Sequence, residues 1–331
     1  MKKIVLVFSV ALLAACSSKK TPDVSGIKVE LKTERFEKDF FAVDTLHVKN
    51  SLTELNRKHP GFTQDFLYNI LGTAPDSVEK DVPGFIRSYQ SMNALVPEKF
   101  RDFPKIEAAV KRGLQFVHYY FPAYRLPTRL ITFIGPINSY GNIITTNALA
   151  VGLQLYMGSD YPLYLSSMGQ QMYPTFISRR FSPEYIPVNC IRNIVDDMYP
   201  LNNLNRPLVE QMVESGKRLY LLDLLLPEAA DTLKTGYTQQ QLDECYASEK
   251  NIWSFFVQND MLYKNDPNFT RDYMSDGPST QALGDRSPGN IGQFVGWQIV
   301  KKWMAKNPGT TPLQLMEKNP KQIFEEAKYK P

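Results

Sequence analysis

Apolar residues recur at alternating steps of four and three along 207–227, PLVEQMVESGKRLYLLDLLLP. Leu208, Met212, Ser215, Leu219, Leu222 and Leu226 make one face, and Val209, Val213, Gly216, Tyr220 and Leu224 form a second row beside it. That period predicts a helix touching neighbours over much of its circumference. Pro207 suits a first helical turn and Pro227 stops the ladder, so the helix would span roughly 30 Å and cross a whole domain. Its polar face carries Glu210 and Glu214 one turn apart, with Lys217 and Arg218 within reach of Glu214. Two readings stay open for Glu210 and Glu214: a solvated, ion-paired edge, or carboxylates facing a cleft.

Upstream, Ile27, Val29 and Leu31 alternate with Lys28, Glu30 and Lys32, the period of a half-buried strand. Helices are expected over 50–58 and 62–71, then from Pro83 with Phe85, Tyr89, Met92 and Leu95 inward. Another opens at Pro104 with Ile106, Val110, Leu114, Val117 and Phe121 inward. The texture changes at Arg129, where β-branched runs at 130–134 and 143–146 flank a turn-like stretch and predict two strands of a small sheet. Residues 148–157 read as a short helix stopped by Gly158, and 161–177 and 183–198 as helical in part.

Downstream, Thr238 followed by Gln241 is a capping box opening a helix through Asn259, with Glu249 on its inner face. Residues 265–288 read as a long loop. The last strong helix, 289–306, turns Ile291, Val295, Ile299 and Trp303 to one side. Gly292 and Gly296 inside it each cost about 1 kcal/mol relative to Ala unless a close approach offsets the loss. That approach is either a packed helix or a ligand passing over bare backbone. With no repeat and no internal linker, the fold class expected for 27–331 is α+β: one mostly helical domain with a small β-sheet.

The first fifteen residues differ in kind. Lys2 and Lys3 precede an apolar run from Ile4 to Ala14, too short for a permanent membrane span, which is the layout of a secretory signal over 1–15. Leu13, Ala14, Ala15 and Cys16 resemble the bacterial lipobox, which implies that Cys16 becomes the lipid-modified first residue. Residues 16–26 are then a polar tether to the membrane. No acidic tract follows Cys16, which favours a periplasm-facing anchor; inner and outer membrane both stay open. Outside the cytosol, Cys190 and Cys245 would meet disulfide-permissive conditions, and either a bridge or two separately buried thiols fits them.

Composition narrows the chemistry further. With 43% hydrophobic and 22% charged residues the chain is ordinary globular protein, and its net charge of +4 points to no nucleic-acid partner. The histidines are His47, His59 and His118, and neither His-Glu-x-x-His nor Cys-x-x-Cys occurs, so no metal and no cofactor is expected. Phosphate-loop and Gly-x-Ser-x-Gly signatures are missing too. Carboxylates remain as acid/base candidates: Asp196, Asp197, Glu210, Glu214 and Asp223. A carboxylate hydrolase needs two of them facing across a cleft.

Several stretches have a family likeness: Arg35, Phe36 and Asp39; YGNIITTNALAVGLQLYMG from Tyr140 to Gly158; RRFSPEY from Arg179 to Tyr185; Gly216 and Lys217. Ile252 with Trp253, SPGNIGQFVGWQIV from Ser287 to Val300, and the final KYKP complete them. In these the chain resembles the gliding-motility lipoprotein GldB family of the Bacteroidetes. The resemblance implies an envelope lipoprotein associated with motility and secretion machinery, although members also occur in bacteria that do not glide. A second similarity, to predicted zinc peptidases, puts Glu214, Ser215 and Gly216 where a glutamate-ligand helix would lie. There 190–195 replaces the histidine helix. The expectation is a zincin-like fold without its metal, keeping the cleft, with Glu210, Glu214, Gly292 and Gly296 as candidate cleft residues. The function expected is non-catalytic binding and assembly, with membrane contact through the lipid anchor and envelope motility and secretion proteins as partners. The alternative is a cell-envelope hydrolase, a peptidase or peptidoglycan hydrolase, working through carboxylates.

Overall fold

The computed structural model describes residues 21–331 except 146 and 204. The expected signal (1–15) and Cys16 lie outside the described residues. Val24 is already fully buried in the main core, so the folded body begins within the segment read as tether.

Four strands form one sheet in the order β1–β2–β4–β3: β1 (Lys32–Arg35), β2 (Arg129–Phe133), β3 (Asn142–Ile144) and β4 (Ala148–Gly152). β1, β2 and β4 run parallel, and β3 turns back antiparallel on β4 with Ile143 opposite Ala150. A parallel neighbour needs a crossover. The helices Val48–Lys58, Val78–Lys99 and Phe103–Tyr120 lie within it, between β1 and β2. Side chains alternate between two cores. Leu130, Leu149 and Val151 enter the larger one, and Ile131, Phe133, Ala148 and Ala150 the smaller. In the smaller core the Phe36 ring sits 4.9 Å from both Phe62 and Phe66.

The fold is thus α+β and mainly helical, as the periodicity predicts. Four local expectations change. The strand predicted at 27–32 starts only at Lys32, because pairing with β2 is made by Lys32–Arg35, while the Ile27 carbonyl is held by Gln115 Nε2 at 2.8 Å. The helix predicted at 148–157 is β4 followed by a short 3-10 turn, Leu153–Leu155. A strand covered on both faces loses its alternation and shows the unbroken apolar run that misleads. The loop at 265–288 contains a helix, Pro267–Met274, capped by the Asp266 side chain. The capping box at Thr238 and Gln241 forms, yet the helix breaks at Ser248 into Gln239–Ala247 and Glu249–Gln258. Two short helices, Pro312–Glu317 and Pro320–Ala327, follow the last strong helix.

The central helix, Leu208–Leu225, packs along the Ile291–Lys306 helix. Their backbones touch. A Cβ on Gly216 would lie 2.2 Å from the Gly296 carbonyl, and one on Gly296 would lie 1.6 Å from the Met212 carbonyl oxygen. Gly292 meets side chains instead: its Cβ would fall 2.2 Å from Met274 Sδ. Gly296→Ala should therefore destabilise the protein by about 3 kcal/mol or more, as forced backbone separation does. Gly84, inside Val78–Lys99 with open space around its Cα, is the control, and its Ala variant should gain up to about 1 kcal/mol. Urea unfolding of the two variants would refute this contact if both shifted alike.

A buried polar cluster ties β1 to the crossover. The His59 ring, 2% exposed, has Nδ1 at 2.9 Å from Glu34 and Nε2 at 2.8 Å from Asp39, and Arg129 grips Glu34 with two nitrogens. Burial alone would raise the Glu34 carboxyl; the hydrogen bonds and charges of Arg129 and His59 outweigh it and hold it at about 2. Such a group stabilises the fold fully above its unfolded value of 4.5, and the contribution is lost as pH falls through about 2. Asp39 is shifted in the same direction, its burial outweighed by Lys58 and His59. Stability measured by urea should drop across that acid window, and Glu34→Gln should flatten the drop; equal slopes in both proteins would exclude the cluster as its source.

Candidate functional site

The helix Ile186–Met198 starts with Pro187 in its first turn and packs against β3 and β4. Val188, Ile191, Ile194 and Val195 are buried in the larger core. Asn189, Arg192, Asn193 and Asp196 follow one another at helical spacing on another side, a polar stripe on an otherwise apolar helix. Cys190 is buried beside them, and burial pushes its thiol up to about 12. Cys245 is buried separately, so the cysteines are two free thiols.

A cavity of about 490 Å³ lies over this stripe. Asn142 and Tyr156 from the sheet side, Arg180 and Tyr185, Asn189, Arg192 and Asn193, and Asp276, Asn290 and Gln293 line it. The Tyr156 hydroxyl accepts from Asn189 Nδ2 at 2.8 Å and donates to Asn142 Oδ1. Burial raises the Tyr156 hydroxyl above the usual phenol range, so it remains a protonated donor. Arg180 is neutralised by Asp276 at 2.6 Å. Arg192 is not: it donates to the Lys234 carbonyl at 2.6 Å and, among the described residues, pairs with no carboxylate. Arg179, just behind, donates to the Gly236 carbonyl and to Gln241. Burial disfavours the charged form of both Arg179 and Arg192. Arginine nevertheless keeps its proton in proteins, so the cavity wall carries partly desolvated positive charge, on which Asp196 and Asp276 act without a direct ion pair to Arg192. The Asn290 Oδ1 at the head of the Ile291–Lys306 helix is buried without a partner.

A second cavity, about 620 Å³, adjoins the first and shares Asn142 and Asn193 with it. Phe62, Ile70, Ile143 and Ile144 give it an apolar lining, and the exposed carboxylates of Asp65, Asp196 and Asp197 stand around it. The two cavities form one cleft beside β3: the cationic one opens by Gly141 and Asn142, and the apolar one, rimmed by the carboxylates, runs along the strand from Tyr140 to Thr145.

Residues 17–331 match the family described as gliding motility protein GldB. The chain belongs to that family. No curated protein and no solved structure matches it. Three of the stretches that carry the GldB likeness meet at this cleft: 140–158 supplies Asn142 and Tyr156, 179–185 supplies Arg180 and Tyr185, and 287–300 supplies Asn290 and Gln293.

The four residues singled out from the sequence lie elsewhere. Glu210, Glu214, Gly292 and Gly296 line neither cavity. Glu214 is bound by Lys217 at 2.9 Å and by Arg206 and Arg218 at 3.2 Å each. Burial pushes its carboxyl up, and the charges of Lys217, Arg218 and Arg206 more than offset that. Lys217, 1% exposed, also donates to the carbonyls of Met316 and Lys318, which locks the C-terminal segment to the central helix. Asp196 stands 3.5 Å from Arg218, Asp197 accepts from the Tyr124 hydroxyl, and Asp223 is held by Lys234 and the Trp297 indole. Among the described residues no three His, Cys, Asp or Glu groups come together to hold a metal. Zinc does not fit the cleft helix, since Asn189 and Asn193 offer amides where imidazoles would be needed. Asn189, Arg192 and Asn193 went unmarked in the sequence, although their spacing on an apolar helix was the available signal.

Glu214→Gln should cost about 3 kcal/mol, because it leaves the Lys217 ammonium buried against a neutral amide. Glu210→Gln should stay within about 0.5 kcal/mol of the parent, as surface substitutions do. Parallel urea titrations decide it, and a stable Glu214→Gln protein would show the cluster to be dispensable.

Proposed function

We propose that this protein is a periplasm-facing envelope lipoprotein that binds and assembles components of the gliding and associated secretion machinery without catalysing a reaction. The observation that carries the reading is the chemistry of the cleft. The first cavity presents guanidinium, amide and a phenol kept protonated, which recognise and hold, and its carboxylate Asp276 is paired with Arg180; around the second, Asp65, Asp196 and Asp197 are engaged by Asn69, Arg218 and Tyr124. Membership of the GldB family supports the motility context. No helix among the described residues is long and apolar enough to cross a membrane, so attachment through Cys16 is the route the reading requires.

The test is crosslinking and affinity co-purification of the full-length protein from membranes, with Cys16→Ser as the unanchored control and bound metal assayed on the same sample. Motility or secretion components should be recovered reproducibly, at least tenfold above the control, and without stoichiometric metal. Absence of any partner, or peptide or peptidoglycan cleavage by the purified protein, would overturn it.

A further inference from the structure

β3 is one of the two outer strands of the sheet, and only one of its sides is paired. Gly152 N–H bonds to the Gly141 carbonyl at 2.8 Å and Thr145 N–H to the Ala148 carbonyl at 2.9 Å. Antiparallel alternation then turns the peptide groups of Gly141, Ile143 and Thr145 toward β4 and those of Asn142 and Ile144 away from it. Among the described residues nothing outside the sheet hydrogen-bonds to the backbone of Asn142 or Ile144. An open edge of this kind is a template for an added strand.

The cleft beside that edge is chemically polarised. At the Gly141 end are Arg180 and Arg192, with the amides of Asn189 and Asn193. Phe62 and Ile70 wall the second cavity from beside Phe133 and Gly135, Ile144 lies further along the strand, and Asp65, Asp196 and Asp197 rim it. From Gly141 to Thr145 an extended strand covers about 13 Å, the reach of four or five residues of a partner peptide. A chain end bearing a carboxylate would be drawn to Arg192 and repelled by Asp65, Asp196 and Asp197. Arg192 lacks a carboxylate partner, so a bound carboxylate would complete its coordination.

We infer that the cleft binds the C-terminal end of a partner protein, laid as an added strand along β3 with its terminal carboxylate held by Arg192. This rests on the binding reading above and specifies its ligand. Arg192 supplies the charge, the open peptide groups of Asn142 and Ile144 supply the main-chain bonds, and the apolar cavity receives side chains upstream of the chain end.

The experiment uses the full-length lipoprotein in detergent and a random pool of hexapeptides with free C-terminal carboxylates. Three companion pools are the same peptides capped as carboxamides, N-methylated at alternate amides, or ending in D-alanine. Mass spectrometry reads the retained fraction. The free-acid pool should be retained at least tenfold more than the carboxamide and N-methylated pools. Arg192→Gln should abolish the preference for the acid, and Arg192→Lys should keep part of it. Equal retention of acid and amide, undiminished retention of the N-methylated pool, or no retention at all would overturn the proposal. Preference for the D-alanine pool would assign the cleft to cell-wall peptides and overturn it too. Partner recovery from membranes is scored separately: partners that co-purify equally with Arg192→Gln would leave assembly standing while removing this cleft from it.

Discussion

Two backbones in contact, at Gly216 and Gly296, set the distance on which the helical half of the molecule depends. Where helices approach so closely, even a methyl group has no room, and the apolar side chains on either side interlock at full depth. Trp297 and Phe294 are completely buried as a result. The same helix begins at Asn290, on the wall of the cationic cavity, so the position of that wall follows from a glycine contact further along the helix.

Charge is handled differently in the two halves. In the Glu34–His59–Asp39–Arg129 cluster and the Glu214–Lys217 cluster each carboxylate is held by direct ion pairs, and the Lys217 ammonium also finds two carbonyls. The cationic cavity is left open, with two guanidiniums, Arg180 and Arg192, to one carboxylate, Asp276. Matched clusters hold elements together, whereas a desolvated charge without a partner makes a wall that discriminates among ligands. That contrast separates Glu214, which had looked like a cleft residue, from Arg192, which had not stood out.

Periodicity exposed what one strand or helix decides by itself. The central helix, the capping box at Thr238 and the proline-opened helix at Phe103–Tyr120 follow from spacing and end residues. β4 was illegible because burial on both faces erases the alternation that marks a strand. The glycine pair announced a close approach but not what approached; only the tertiary arrangement puts Met212 and Gly216 opposite Gly296. The cleft was the hardest part, since it is assembled from a strand edge, a helix stripe and a helix start far apart in the chain. The family likeness flagged three of its stretches, and the stripe at Asn189, Arg192 and Asn193 was readable only as an oddity of a short helix.

Lys217 reaches past its own helix to the carbonyls of Met316 and Lys318, and the Tyr329 hydroxyl closes on Glu249. The last turns of the chain are therefore the keystone of the larger core. A polypeptide emerging N-terminus first cannot seat Lys217 in a satisfied environment until the residues near 318 have appeared, because a buried ammonium with half its bonds is costly. Seating of the central helix thereby waits on a segment about a hundred residues further along the chain, a long-range closure that the order of synthesis places late.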